Sequence, residues 1–223
     1  MITSAHNPKL RLIRRLLDSR RQREKQGLFV CEGEDLVDAA AAAGIEPVEL
    51  LVAGEDVEPA LVAELSTLGH PPRVIGVFRR GDLPQGTREL TLALWHVGDP
   101  GNVGTLLRTA DAFGAGVALS AGCADPTGPK ALRASAGAVF RVPFAAFDDA
   151  PRPWTALVAH GAVPPDQVPG HGTFVLGAER EGLPADVVAR CDARVTIPLG
   201  PGAESLNVAA AGAIALYEAR RRR

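Results

Sequence analysis

The segment IPLGPGAESLNVAAAGAIALYEARRRR (197–223) decides the fold. From Leu206 to Tyr217 its only strongly polar side chain is Asn207. A helix that is apolar all round has to be buried on nearly every side. A last helix normally lies on a surface, so this one is expected to be wrapped by other segments of the chain. Ser205 can serve as its N-cap and Asn207 as a first-turn residue. As a bare spacing, S-x-N is a weak signal.

Two segments further in belong with it. GNVGTLLRTADAFGAG (101–116) follows LTLALWHV (90–97), whose apolar continuity suits a strand buried on both faces. Val103, Leu106, Leu107, Ala110 and Phe113 form an apolar helical face, with Arg108 well away from it and Asn102 at the helix start. Asn102 can be an N-cap and Arg108 an exposed charge. Equally, a helix N-terminus after a buried strand is where anionic ligands settle, because free N–H groups point there. The glycine pattern is not GxGxxG and no Lys-Ser/Thr follows it, which argues against a dinucleotide fingerprint and a P-loop. In FVLGAEREGLP (174–184), a short strand runs into Gly177, Glu179 sits in a turn, and Pro184 opens a helix. By itself this is an ordinary strand–turn–helix. A carboxylate behind a strand end can also hold a cationic or hydroxyl group.

Toward the N-terminus, residues 1–27 carry eight basic side chains against Asp18 and Glu24, a charge of +6 that leaves −8 for the rest of a 223-residue chain of net charge −2. Asn7-Pro8 is a good helix start. Leu10, Ile13, Leu16 and Leu17 then fall on one face, with most arginines elsewhere. Such a helix docks on its own domain and offers charge to phosphate, or is simply a solvated face. The blocks 28–31, 48–53 and 73–78 read as strands; an alanine-rich helix ended by Gly44 follows the first and a helix over 57–68 the second, an alternation that predicts a parallel or mixed sheet. RRGDLPQGTRE (79–89) reads as a linker, and PPDQVPGHG (164–172) as a surface loop. At 46% hydrophobic residues and 22% charged, the chain has room for a sizeable core in one or two domains. Cys31, Cys123 and Cys191 lie far apart with no CxxC pair, which excludes a disulfide scaffold and a zinc knuckle. The five histidines show no ligand spacing, so no metal is expected. No signal peptide and no membrane span are expected, and a reducing, cytoplasmic setting is the default.

Four blocks in this order resemble the SpoU (TrmH-like) branch of the SPOUT RNA methyltransferases: DPGNVGTLLRTADAFGAG (99–116), PKALRASAGAVFRVPF (129–144), FVLGAEREGLP (174–184) and IPLGPGAESLNVA (197–209). NPKLRLIRRL and GLFVCEGEDLV more loosely resemble the substrate-binding domain often found ahead of that catalytic domain. The resemblance implies an α/β fold. Residues 1–84 would be a small ribosomal-protein-like RNA-binding domain. Residues 85–223 would be a SPOUT domain whose C-terminus is threaded into a deep trefoil knot. True knots are very rare, so the resemblance carries this expectation. It also implies a homodimer that binds S-adenosylmethionine in the knot, methylates a ribose 2′-hydroxyl of rRNA or tRNA, with rRNA favoured, and releases S-adenosylhomocysteine.

Carried onto this chain, the motif asparagine and arginine fall on Asn102 and Arg108, the glutamate on Glu179, and the serine and asparagine on Ser205 and Asn207. Contacts to the methyl donor fall on Gly177, Ile197 and Leu206. Arg11, Arg14, Arg15, Arg20, Arg21 and Arg23 are the candidates for RNA phosphate. Arg180, where many relatives have glycine, and the long loop 161–172 depart from the pattern at the rim of the site. An arginine is normally always charged. Arg108 is therefore assigned to stabilising the developing alkoxide, with a proton-accepting role in an unusual environment as the other reading. The competing readings are a catalytically silent RNA-binding relative, a nucleotide-dependent dehydrogenase, and an interaction domain worked by the basic arm alone.

Overall fold

The computed structural model describes residues 1–222. The chain opens with α1 (Pro8–Asp18), capped by Asn7, whose side-chain oxygen accepts the Lys9 N–H at 2.9 Å. The basic arm is two helices rather than one. Ser19 turns extended (φ −134°, ψ 115°), ends α1, and caps α2 (Arg20–Gln26) with its hydroxyl. Then follow β1 (Leu28–Glu32), α3 (Glu34–Ala42), β2 (Glu49–Val52), α4 (Pro59–Leu65) and β3 (Val74–Arg79). The strands pair in the order β1–β3–β2, antiparallel throughout, where the alternation predicted a parallel or mixed sheet. The helix α3 does return the chain parallel to β1, but β3 inserts between the two and reverses the pairing. Alternation then sorts the side chains. Val30, Ile75 and Val77 pack with Leu10, Ile13, Leu16 and Leu17 of α1, while Phe29, Cys31 and Phe78 face the other way, into the second half of the molecule.

That second half is a six-stranded sheet, parallel at every pairing, in the order β6–β5–β4–β8–β7–β9. Its elements are β4 (Leu90–Leu94), α5 (Pro100–Phe113), β5 (Gly116–Leu119), α6 (Pro129–Ser135), β6 (Phe144–Ala146), β7 (Trp154–Leu157), β8 (Gly172–Leu176), α7 (Ala185–Ala189), β9 (Ala193–Val195) and α8 (Val208–Arg221). β4 is buried at all five positions, as a strand covered on both faces should be. Strand order reverses between β4 and β8, so the carboxyl ends of these two strands form the crevice where parallel α/β sheets hold ligands. On one face of the sheet α5 and α8 lie side by side, with Gly212 close against Leu106, where a Cβ would come within 2.5 Å of the leucine Cδ2. On the other, Trp154, Phe147, Val175 and Val187 form a smaller cluster.

The expectation for the last helix holds for half of its surface. Val208, Ala209, Gly212, Ala215, Leu216 and Ala219 are buried, and the 161–172 segment straps the far end. There Arg222 donates to the carbonyls of Pro165, at 2.6 Å, and Val168. Ala210 and Tyr217 are exposed, Tyr217 by 54%, and Ala213 and Ile214 are half-buried. The cap is also reassigned: Asn207, not Ser205, accepts the Ala209 N–H at 2.8 Å, and Ser205 is exposed.

The segment 79–89 is packed rather than loose. Leu83 is buried, Arg80–Asp82 form a 3-10 turn, and the Gly86 N–H donates to the Phe144 carbonyl at 2.8 Å. The two halves share one core, in which the rings of Phe29, Phe78 and Phe140 meet at centroid distances of 5.6–6.1 Å.

Candidate active site

Three separate stretches of chain are tied together at the carboxyl ends of the parallel strands. Glu179, in the turn after β8, accepts the backbone N–H groups of Gly98 at 3.2 Å and Asp99 at 3.1 Å, both in the loop after β4. Its Oε1 also accepts the Asn102 side-chain amide at 3.0 Å. The Asn102 carbonyl oxygen accepts the Asn207 amide at 3.0 Å, and Asn207 caps α8. One carboxylate thereby fixes the entry of α5 and, through one amide, the entry of α8. Partial burial would push the Glu179 carboxyl up. The hydrogen bonds from Asn102, from its own backbone N–H and from Asp99 and Gly98 outweigh that and hold it below the usual glutamate range. Asn102 is not the N-cap of α5. Asp99 is, accepting the Asn102 N–H at 3.0 Å. A hydrogen bond from Lys130, 2.8 Å away, is the main reason its carboxyl titrates low.

Beside this relay lies a cavity of about 310 Å³ formed by the ends of β7, β8 and β9 and the approach to α8. Gly177, Glu179, Ile197, Ser205 and Leu206 line it, five of the positions singled out in the sequence. Asn102 and Asn207 do not, and support it from behind. Gly177 is fixed by close approach: a Cβ there would sit 2.1 Å from the Gly182 carbonyl carbon, because the turn 178–182 folds back over it. Leu157–Ala159, Leu199 and Glu204 also line the cavity and were given no role in the sequence. Their only signal was position, since a ligand at the carboxyl ends must touch the residue after each strand.

Arg108 stands apart. It is exposed on α5, outside the cavity lining, and forms no hydrogen bond or ion pair with the described residues. Six residues after Asn102, it lies about 9 Å further along the helix and about 120° around it. Asn102 and Glu179 hold each other and Asn207 instead, and among the described residues neither bonds to Arg108. Of the arm arginines, Arg11, Arg14, Arg15, Arg20 and Arg21 are exposed, but Arg23 is not. Arg23 is 6% exposed, pairs with Asp125 at 2.7 Å and donates to the carbonyls of Leu16 and Leu17. That removes Arg23 from the phosphate-binding set: its run of basic neighbours hid a buried structural charge. Among the described residues no helix is long and apolar enough to cross a membrane, and no group of His, Cys, Asp or Glu is placed to hold a metal ion.

A parallel sheet with a small-molecule cavity at its switch point, preceded by a small domain that opens with a basic helical arm, defines the class as an α/β protein with a ligand-sized site at its strand ends. The chain belongs to the SpoU rRNA Methylase family, whose profile matches residues 89–217. Residues 7–77 match the MRM3-like substrate binding domain. It is 33% identical over 99% of its length, and 93% of the relative's, to an uncharacterized tRNA/rRNA methyltransferase of Synechocystis sp.. It is 31% identical, over 98% of both chains, to the 23S rRNA (guanosine(2553)-2′-O)-methyltransferase RlmP of Bacillus subtilis. Among solved structures, an AdoMet-bound rRNA methyltransferase from Sinorhizobium meliloti superposes with a TM-score of 0.87, at 30% identity, over 99% of this chain and 97% of that one.

Proposed function

We propose that this protein transfers a methyl group from S-adenosylmethionine to a ribose 2′-hydroxyl of RNA, of rRNA before tRNA. The observation that carries the reading is the Glu179–Asn102–Asn207 relay standing beside the cavity at the ends of β7, β8 and β9, with Glu179 in its lining. The cavity suits the donor. Leu157, Leu176, Ile197, Leu206 and Val208 offer apolar contact to a flat base, the backbone of 177–182 offers polar edges, and the volume is that of a small-molecule site. When bound, S-adenosylmethionine supplies a methyl on a positive sulfur, so that the ribose O–C bond forms as the C–S bond breaks, the bond pair returns to sulfur, and the hydroxyl proton passes to water.

The residues of the chain do the rest. Gly177, Ile197 and Leu206 form the donor's walls. Glu179, Asn102 and Asn207 hold the loops around it in one geometry, which is what alignment for displacement requires, and Ser205 stands in the lining where it can meet donor or ribose. Arg108 stabilises charge developing on the ribose oxygen. Its exposed place on α5, a helix packed against α8, whose Ala210 and Tyr217 are exposed too, supports a homodimer through these two helices, with Arg108 at the seam. The return of the chain after β9 to lay α8 under the strap 161–172 is read as the trefoil knot. Residues 1–84 take the RNA, in the cytoplasm, through Arg11, Arg14, Arg15, Arg20 and Arg21, while residues 85–223 carry the transfer.

Labelled methyl donor incubated with total RNA is expected to label RNA in a protein-dependent way. Mass-spectrometric mapping of 2′-O-methyl nucleotides in cells with and without the protein locates the mark. No label, with RNA still bound, means a catalytically silent RNA-binding protein; label on a base overturns the ribose assignment.

A further inference from the structure

A second cavity, of about 540 Å³, opens where the two halves of the molecule meet. Arg20 at the start of α2, Arg80 and Gln85 from the segment joining the halves, and Ser120, Ala121 and Phe144 from the catalytic sheet line it. The charge here is built. Asp125, nearly buried, holds Arg23 at 2.7 Å on one oxygen and Arg80 at 3.0 Å on the other, and Thr127 takes a further bond from the same Arg80 nitrogen. Arg20 is held by Glu24 at 2.8 Å and by the Cys123 carbonyl at 2.8 Å. Arg20 and Arg80 face the cleft and Arg23 lies behind it, so that three guanidiniums stand with two carboxylates, one positive charge in excess.

This cleft is linked to the catalytic site through the loop after β4. In the loop after β4, the His96 N–H donates to the Ser120 hydroxyl at 2.9 Å and the Val97 carbonyl accepts the Ala124 N–H at 2.9 Å. The next two residues, Gly98 and Asp99, are those that Glu179 holds. β5, whose end forms the cleft, and β8, whose end carries Glu179, are two strand spacings apart, about 10 Å. The exposed Arg14, Arg15 and Arg21 lead along α1 and α2 to Arg20 at the cleft's rim.

We propose that the cleft seats a phosphodiester group of the RNA strand, close along the backbone from the ribose that is methylated. The inference rests on the RNA reading above and adds to it a place and a polarity. The basic arm collects the strand, and the cleft sets which nucleotide arrives at the relay. Arg23, excluded from RNA, is then the buttress that keeps Asp125 and Arg80 in position.

The test puts a carboxylate into the cleft without breaking any of its ion pairs. In Ala121→Glu, at an exposed position, RNA affinity and KM for RNA are expected to worsen at least tenfold, with the donor's Kd unchanged. Ala121→Lys is expected to bind RNA as well as wild type or better. Arg20→Gln is expected to flatten the dependence of log K on log salt by about 0.7, the value of one phosphate contact on a single strand. Gln85→Glu repeats the carboxylate test should Ala121→Glu fail to fold. If the carboxylate variant binds RNA within twofold of wild type, the cleft is not an RNA seat, whatever the wild type's activity. If wild-type protein neither binds nor labels RNA, the parent reading fails instead.

Discussion

Glu179 matters through what it accepts. Its carboxylate satisfies two backbone N–H groups and one amide, and a glutamine offers one acceptor oxygen in place of two. Glu179→Gln is expected to lower donor affinity about tenfold, the worth of one charge-assisted hydrogen bond at a partly exposed site, as read by titration calorimetry. The folded carboxyl titrates below its ordinary value near 4.3, so its contribution is complete above that value and fades as pH falls through the lower folded one. Donor affinity of the wild type should therefore be flat from pH 8 to about pH 5; a loss beginning near pH 7 would assign the control elsewhere. Arg108 is the contrasting case, a cation with no hydrogen bond or ion pair among the described residues. Arg108→Ala is expected to keep donor binding and lose methyl transfer by at least about 100-fold. A variant that transfers methyl at the wild-type rate would end its assignment.

The elements show why some of this was legible and some was not. A strand buried on both faces and a helix with a clean apolar stripe, such as β4 and α1, declare themselves by pattern, and their buried sets agree with the sequence reading. Gly177, Ile197, Ser205 and Leu206 owe their place in the candidate site to the resemblance of four motif blocks to a family. Nothing in their spacing says that three strand ends converge on them. Strand direction in the N-terminal sheet was misread because alternation of helix and strand fixes connectivity but not which strand inserts between which. Arg23 was misread because burial of a charge depends on a partner 102 residues away. For α8, composition exaggerated burial: alanine is apolar but small, and Ala210, Ala213, Ile214 and Tyr217 leave one side uncovered. That side is the proposed dimer contact. Tyr217→Glu with Ile214→Glu is expected to shift the protein to monomer in sedimentation velocity and to reduce methyl transfer, with thermal stability little changed. A double variant that sediments as wild type would refute the α5–α8 interface. Inside the same helix, Gly212→Val would drive branched carbons into Leu106 and is expected to cost about 1–3 kcal/mol by overpacking, measured by urea unfolding.

At the scale of the whole molecule, the two halves are joined by a core of phenylalanines and by one buried carboxylate between two guanidiniums. The aromatic contact excludes water between the halves; the Arg23–Asp125–Arg80 set adds charge-assisted hydrogen bonds of fixed direction, and so helps to fix the approach of the basic arm to the catalytic crevice. Burying Asp125 would raise its pKa, but the bonds from Thr127 and Arg23 and the charge of Arg80 prevail, and the carboxyl titrates below its usual value. Removing it strands two cations, one of them nearly buried, so Asp125→Ala is expected to destabilise folding by about 3–5 kcal/mol, well beyond the ~1 kcal/mol of an exposed pair such as Arg73–Glu34. The sign of the pH dependence follows from a folded pKa below the unfolded value near 3.9: the contribution is whole above that value and is lost as pH falls through the folded one. The gap in unfolding free energy between wild type and Asp125→Ala, measured in urea at a series of pH values, should be constant from pH 7 to about pH 5 and narrow below about pH 4. A gap near zero at pH 7, or one that narrows toward alkaline pH, would show that this ion set does not hold the two halves together.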